Sequence, residues 1–263
     1  MNKNFKFQLN LFWQLLKSDL IIFKQKWFDS VIDVTVWMVC MVVTMAYIYP
    51  KMGMSQNYGS FYVYGMIISV LFWSIWDNSV EFIADLEGDK TIDYALTLPI
   101  SSYLILIQKA IFYSIRVMSY AWIILPLSKI LIWKQLDFIQ INWFKLLFIY
   151  FGMGFFIGFF SLFIISFIKA MKNISIVTMR ILFPLWFLGG SQFSWKFLHK
   201  VFPNFAYLTF LNPFLYGMEG VHAATLNPND YISFWFCIGM LLVLTIIFSW
   251  FGIKRLKKRL DFI

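Results

Sequence analysis

Four stretches of this chain, residues 60–83, 104–127, 143–168 and 231–253, run more than twenty residues each with almost no charge. Crossing a hydrocarbon core of about 30 Å takes about 20 apolar residues in a helix, so runs of this length set the solvent as lipid. Two further stretches, 31–49 and 174–191, read the same way, although Pro184 and Gly189-Gly190 interrupt the second. Composition agrees. Of 263 residues, 61% are hydrophobic and 13% charged, against about 25% charged in soluble domains. The 22% aromatic content suits membrane interfaces, where Trp and Tyr collect. The expected fold is an all-α membrane protein with six transmembrane helices. An N-terminal cytoplasmic interface helix precedes them, and a re-entrant helical hairpin comes before the last span. The whole chain, 1–263, reads as a single transmembrane domain.

Lys and Arg set the orientation. With the N-terminus inside, the lead supplies Lys3, Lys6, Lys17, Lys24 and Lys26, and the basic tail 254–263 supplies Lys254, Arg255, Lys257, Lys258 and Arg259. Lys90, Lys109, Lys169 and Lys172 fall on the same side. Only Lys51, Lys129, Lys134, Lys145, Lys196 and Lys200 fall outside. Both termini are therefore expected in the cytoplasm. The +9 net charge follows from this bias and from attraction to anionic lipid, and no nucleic-acid partner is expected.

The lead, residues 1–30, repeats Leu9, Trp13, Leu16, Leu20, Phe23 and Trp27 at spacings of three and four, with Asn10, Gln14, Lys17 and Lys24 on the other face. That pattern predicts an amphipathic helix lying in the cytoplasmic interface. No cleavable signal peptide is expected. Before the last span, residues 192–230 are rich in Phe and Tyr and broken by Pro203, Pro213 and Pro228. Such a stretch is too apolar for a free loop and too broken for one straight span. It predicts short helices re-entering the outer leaflet, with their irregular backbone covered by protein or facing a wet cavity.

Between the second and third spans lies an acidic island carrying Glu81, Asp85, Glu87, Asp89 and Asp93, five of the 13 acidic residues. It continues through Lys90 to Pro99, where the proline restricts the residue before it and sets a corner. The acidic groups are placed to meet basic residues on a soluble partner; a solvated turn without a partner is the alternative.

Catalytic patterns are missing. There is no phosphate-binding G-x-x-x-x-G-K-[ST] loop, G-x-S-x-G elbow or H-E-x-x-H helix. No cofactor and no metal are expected on this chain; His199 and His222 lack partners at ligand spacing. Glu219 and His222, three apart, read as a local hydrogen-bonded pair or a substrate contact. Cys40 and Cys237 read as packing residues. Charges inside spans carry more weight, because burying them is costly. Asp77, Glu81 and Arg116 read as an ion pair between the second and third spans, or as a contact for an anionic headgroup. Arg180 reads as snorkelling to the interface, and Asp29 and Asp33 as caps or partners of Lys24 and Lys26. Gly154 and Gly158 on the fourth span form a G-x-x-x-G pair that signals close helix packing, within or between protomers.

Two segments resemble type-2 ABC exporter permeases. From Asp85 to Lys109, within a coupling segment over 84–103, the residues Gly88, Leu96, Thr97, Pro99, Ile100 and Ser101 resemble that family's loop between the second and third spans. There a Gly-Thr-like turn leads through an amphipathic stretch to a Leu-Thr-x-Pro-Ile-Ser-like segment; Asp89 and Lys90 precede Thr91 here. The second segment, Leu211 to Gly220, resembles the family's Asn-Pro-x-x-Tyr-x-x-Glu motif before the last span, with Asn212, Pro213, Tyr216 and Glu219 in place. Six spans, an interface helix and a re-entrant outer loop also match. The family's Arg soon after that Glu is not matched; His222 stands nearby.

The resemblance implies an exporter permease in a bacterial plasma (inner) membrane, paired as a homodimer or with a similar subunit and surrounded by membrane lipids. It implies two copies of a separate ABC ATPase that hold ATP and Mg and press on the coupling segment. The implied coupling residues are Asp85, Glu87, Gly88, Asp89, Lys90, Asp93 and Pro99. The expected cargo is lipid-like or amphipathic, such as a glycolipid, lipid-linked polysaccharide or hydrophobic drug. Two other readings stay open: a membrane-embedded transferase using Glu219 and His222, and a non-transporting scaffold.

Overall fold

The computed structural model describes residues 3–55 and 57–260, with side chains from Lys6 onward. Residues 1–2 and the Lys3 side chain of the lead, Gln56 in the first turn and residues 261–263 of the tail lie outside the described residues. The described secondary structure is helical throughout. Helix α1, Lys3–Val42, runs on through a π-helical stretch Val43–Ile48 into a last turn, Tyr49–Lys51. There follow α2 (Tyr58–Glu87), α3 (Thr91–Thr97), α4 (Ser102–Ala121), α5 (Ile124–Leu131) and α6 (Trp143–Ile165). Three contiguous stretches, Ile174–Val177, Thr178–Leu182 and Phe183–Phe187, make one short helix, α7. Helices α8 (Trp195–Val201), α9 (Pro203–Leu208), α10 (Pro213–Thr225) and α11 (Phe234–Leu260) complete the chain.

Among the described residues, five helices are long and apolar enough to cross a membrane: Lys6–Lys51, Tyr58–Glu87, Ser102–Leu131, Trp143–Ile165 and Phe234–Leu260. The expected span over 174–191 does not form one of them. Helix α7 is about 21 Å long at 1.5 Å per residue, short of a hydrocarbon core of about 30 Å. It stops before Gly189-Gly190, where Gly190 takes φ +88°, a left-handed conformation that glycine adopts without strain.

The N-terminal lead differs too. A separate interface helix followed by a span was expected, but α1 passes through both without a break. No Gly or Pro occurs before Pro50, so nothing in the backbone ends the helix where the side chains change character. Of the apolar face expected to lie in the interface, only Leu16, Leu20 and Phe23 pack inward, and Leu9, Trp13 and Trp27 are exposed. Phe12 and Leu16 are buried and Leu20 and Phe23 half-buried, while Trp13 is 58% exposed. Asp19, on that inner face, accepts hydrogen bonds from Gln108 Nε2 and Lys109 Nζ of α4, both at 2.8 Å.

Helix α6 sits at the centre, packed on α2, α4, α10 and α11. It is apolar on every side: Met153, Phe156 and Ile157 face the other helices, while Phe144, Phe148, Phe151 and Phe155 are exposed, as a span between bundle and lipid requires. Gly154 and Gly158 bring it against α4: a Cβ on Gly158 would strike the Ala110 carbonyl and Ser114, and one on Gly154 would strike Met118. The G-x-x-x-G pair is thus used within one protomer.

Candidate functional site

At the Glu87 end of α2 the acidic island folds into a tight, self-capped unit. Asp85 reaches forward to cap α3: its carboxylate accepts the backbone N–H groups of Thr91 at 3.1 Å and Ile92 at 2.9 Å, and the Thr91 hydroxyl. Those N–H groups would otherwise be orphaned in the first helical turn. The reversal passes through Lys90, which sits in the left-handed region at φ 56° while its N–H bonds the Asp85 carbonyl at 2.7 Å. Helix α3 packs inward through Ile92 and Ala95 and shows Thr91, Tyr94 and Thr97 to the outside. It ends at Thr97, and Leu98 is extended (φ −70°, ψ 151°), as a residue before Pro99 should be.

Three further contacts make this end stiff. Glu87 Oε1 accepts the Met171 N–H at 3.1 Å, joining the island to the turn between α6 and α7. Arg259 of α11 donates to the carbonyls of Ile168 and, at 3.0 Å, Lys169. The Arg255 guanidinium lies 3.9 Å from the centre of the Phe167 ring. Of the expected coupling residues, Asp85 and Glu87 thus hold the unit together. Gly88, Asp89, Lys90 and Pro99 are exposed, and Asp93 is half-buried on α3.

Deeper between α2 and α4, Arg116 is held by two residues. Its guanidinium bonds the Glu81 carboxylate and the Asn78 side-chain oxygen. Asn78 Nδ2 in turn donates to Ser161 Oγ of α6 at 2.8 Å. The Glu81–Arg116 ion pair expected from sequence is present, and Asn78, unremarked in the sequence, extends it across three helices. Asp77 has no ion-pair or hydrogen-bond partner among the described residues.

The Asn212 motif joins two half-helices. Helix α7 rises from the Glu87 end and stops part-way. Helix α10 starts at the level of Phe72 and Phe160, whose rings meet Phe214 at 4.0 and 5.8 Å, and ends where the Asn142 N–H bonds the Ala224 carbonyl. Between them Asn212 does two jobs. Its Nδ2 donates to the Leu185 carbonyl at 2.6 Å, left free at the end of α7, and its Oδ1 accepts the Phe214 N–H at 3.0 Å, capping α10. Pro213 sits at the first helical position, where its missing N–H is not needed. The Tyr216 hydroxyl donates to the Phe210 carbonyl at 2.6 Å.

Glu219 is fully buried, and each carboxylate oxygen accepts one backbone N–H: Trp195 at 2.7 Å and Ile232 at 2.9 Å. Burial pushes its pKa up to about 7, against the pull of those two donors and of Lys196. His222 Nε2 faces the Phe61 carbonyl at 3.0 Å, and its ring stacks on Phe61 with centroids 4.1 Å apart. Burial pushes it down to about 4, so the ring is neutral. The pair expected between Glu219 and His222 is therefore not made: each is used by a different strand of chain. Near the Tyr58 end a cavity of about 580 Å³ opens among Tyr58, Tyr64, Gln135, Asp137, Asp230 and Tyr231. No group of three or more potential metal ligands occurs among the described residues. No protein-family model, curated protein or solved structure matches this chain.

Proposed function

We propose that this chain is the transmembrane permease subunit of an ATP-binding-cassette exporter, with ATP and Mg held by two copies of a separate ATPase. The observation that carries the reading is the unit at the Glu87 end. A short helix is capped by Asp85 from the last turn of α2, tied to a second turn through Glu87, and presents Asp89, Lys90 and Tyr94 outward. A loop that transmits a push must be stiff and polar, and a solvated turn needs neither the cap nor the cross-tie. In this reading that end and both termini face the cytoplasm of a bacterial cell. Helix α7 enters from the cytoplasmic end, helices α8 to α10 re-enter from the outer side, and two protomers enclose a path for an amphipathic cargo. The half-helices meeting at Asn212 support the re-entrant assignment, since broken backbone at membrane depth requires protein partners.

The test is ATP hydrolysis by the co-purified complex in proteoliposomes, measured with cargo extract present and absent. Asp89→Lys combined with Tyr94→Ala changes only outward groups, so the protomer should fold normally while cargo stimulation of hydrolysis disappears. Full stimulation in that variant would remove the docking assignment.

A further inference from the structure

Near the Glu87 end, a groove of about 480 Å³ runs between α4 and α11. Tyr103 and Ile107 line it from α4, and Ile246, Trp250, Ile253 and Lys254 from α11. Helix length sets its depth. Lys254 lies twenty residues along α11 from Phe234, about 30 Å, which is the thickness of a hydrocarbon core. Lys254 therefore stands at the edge of that core, with Trp250 about one turn further in and Ile246 about two. On α4, Tyr103 is in the first turn and Ile107 one turn deeper. Trp250 is 66% exposed and Ile246 71%, so the groove opens sideways to lipid. It starts among polar groups at the membrane surface and becomes apolar with depth.

Two ammonium groups gather at the shallow end. Lys254 and Lys257 are three apart on α11, so both fall on one side of the helix. Lys257 Nζ lies 4.2 Å from the centre of the Tyr103 ring and Lys254 Nζ 5.9 Å from that of Trp250, and both rings form the groove wall. The arginines of this helix end are turned elsewhere: Arg255 lies on the Phe167 ring, and Arg259 donates to the Ile168 and Lys169 carbonyls. No ion pair reaches Lys254 or Lys257 among the described residues, and residues 254–263 carry five basic side chains against one acidic, Asp261. The two ends of the groove together select the occupant. A soluble anion would meet the lysines and leave Ile107, Ile246 and Trp250 uncovered. A neutral lipid, or an apolar helix of a second copy, would fill the groove and leave the ammonium groups without a counter-charge. An acyl chain carrying a net negative headgroup meets both ends, and basic residues beside a membrane helix attract anionic lipid.

We propose that this groove binds one anionic phospholipid, with its phosphate at Lys254 and Lys257 and an acyl chain along Ile107 and Ile246. The proposal goes beyond the exporter reading, since binding requires neither an ATPase nor a cargo. The full chain in uncharged maltoside micelles is titrated with dioleoylphosphatidylglycerol and with dioleoylphosphatidylcholine, and bound lipid is counted by native mass spectrometry. The first phosphatidylglycerol should bind about tenfold or more tighter than the first phosphatidylcholine. Lys254→Gln and Lys257→Gln should each weaken it by about fivefold, and Lys254→Arg should retain most of it. Ile246→Trp fills the groove without changing charge and should weaken it as well. Lys24→Gln with Lys26→Gln removes two exposed charges of α1 and should leave it unchanged.

Equal affinity for the two lipids, unchanged phosphatidylglycerol affinity in both Gln variants or in Ile246→Trp, or an equal loss in the Lys24, Lys26 variant would each overturn the proposal. The last result would mean that diffuse positive charge, rather than the groove, selects the lipid. Glycerol 3-phosphate, a headgroup without chains, should not displace the lipid; displacement would assign the lysines to a soluble phosphate and overturn the lipid assignment. Failure of this binding leaves the ATPase-coupling test untouched, and failure of coupling leaves the binding intact.

Discussion

Arg116 shows how a buried charge is made tolerable here. Its guanidinium faces one carboxylate and one amide oxygen, and that amide hands the network on to Ser161. Removing the arginine leaves the buried Asn78 oxygen without a partner, while the Glu81 side chain stays 49% exposed. Arg116→Met should therefore lower unfolding stability by about 2 kcal/mol. Arg116→Met with Asn78→Leu should lose less than the sum of the two single changes, because the orphaned amide is then gone; denaturant titration in detergent compares them. Glu219 gives a pH signature. Its folded pKa is raised from 4.5 to about 7, so stability is full below pH 4.5 and is lost as pH rises through about 7. Between pH 5 and 8 the melting temperature should fall, and Glu219→Gln should flatten that slope. Equal slopes in both proteins would remove Glu219 as the titrating group. The sequence pointed to Arg116, Glu81 and Glu219 because ionisable residues stand out in apolar runs. Asn78 and Asp19 did not stand out. Their partners Ser161 and Lys109 are 83 and 90 residues away, and no local spacing announces a contact at that range.

At the scale of elements, the long apolar runs translated directly into helices, because in lipid a helix satisfies the backbone groups of a twenty-residue apolar run within the run itself. Two elements were misread for opposite reasons. In α1 the side-chain pattern changes but the backbone has no cause to break, so lead and span fuse. Over 174–191 the side chains stay mostly apolar but Gly189 and Gly190 stop the helix, so an expected span shortens to α7. Asn212 is the repair at that break. Asn212→Ala should cost about 2 kcal/mol, from a lost cap and an unpaired carbonyl. It should also raise proteolytic cleavage between α7 and α10 before the rest of the molecule unfolds. Cleavage rates equal to those of the unsubstituted chain would show that the two half-helices are held by packing alone. The motif itself was visible in the sequence as Asn-Pro-x-x-Tyr-x-x-Glu. What it does was not visible, because Leu185 and Trp195 are brought to it only by the fold.

For the whole molecule, the packed centre and the stiff end have different demands. Helix α6, with Gly154 and Gly158 against α4, fixes the bundle. The Glu87 end gathers the island, the turn before α7 and the last turn of α11 into one surface through Glu87, Arg255 and Arg259. A force applied to α3 would pass into α2 and α4, the helices that flank Arg116. That continuity is what the exporter account needs. Its central claim is that an ATPase docks at this end. The most direct measurement is affinity purification of the tagged chain from its native membrane in mild detergent, followed by mass spectrometry, with a cysteine placed at Tyr94 for cross-linking. The account predicts a co-purifying ATPase that carries a phosphate-binding G-x-x-x-x-G-K-[ST] loop, cross-links through residue 94 and is lost with Asp89→Lys. Recovery of the chain without such a partner, in detergent that keeps other ATPase-driven transporters whole, would contradict it.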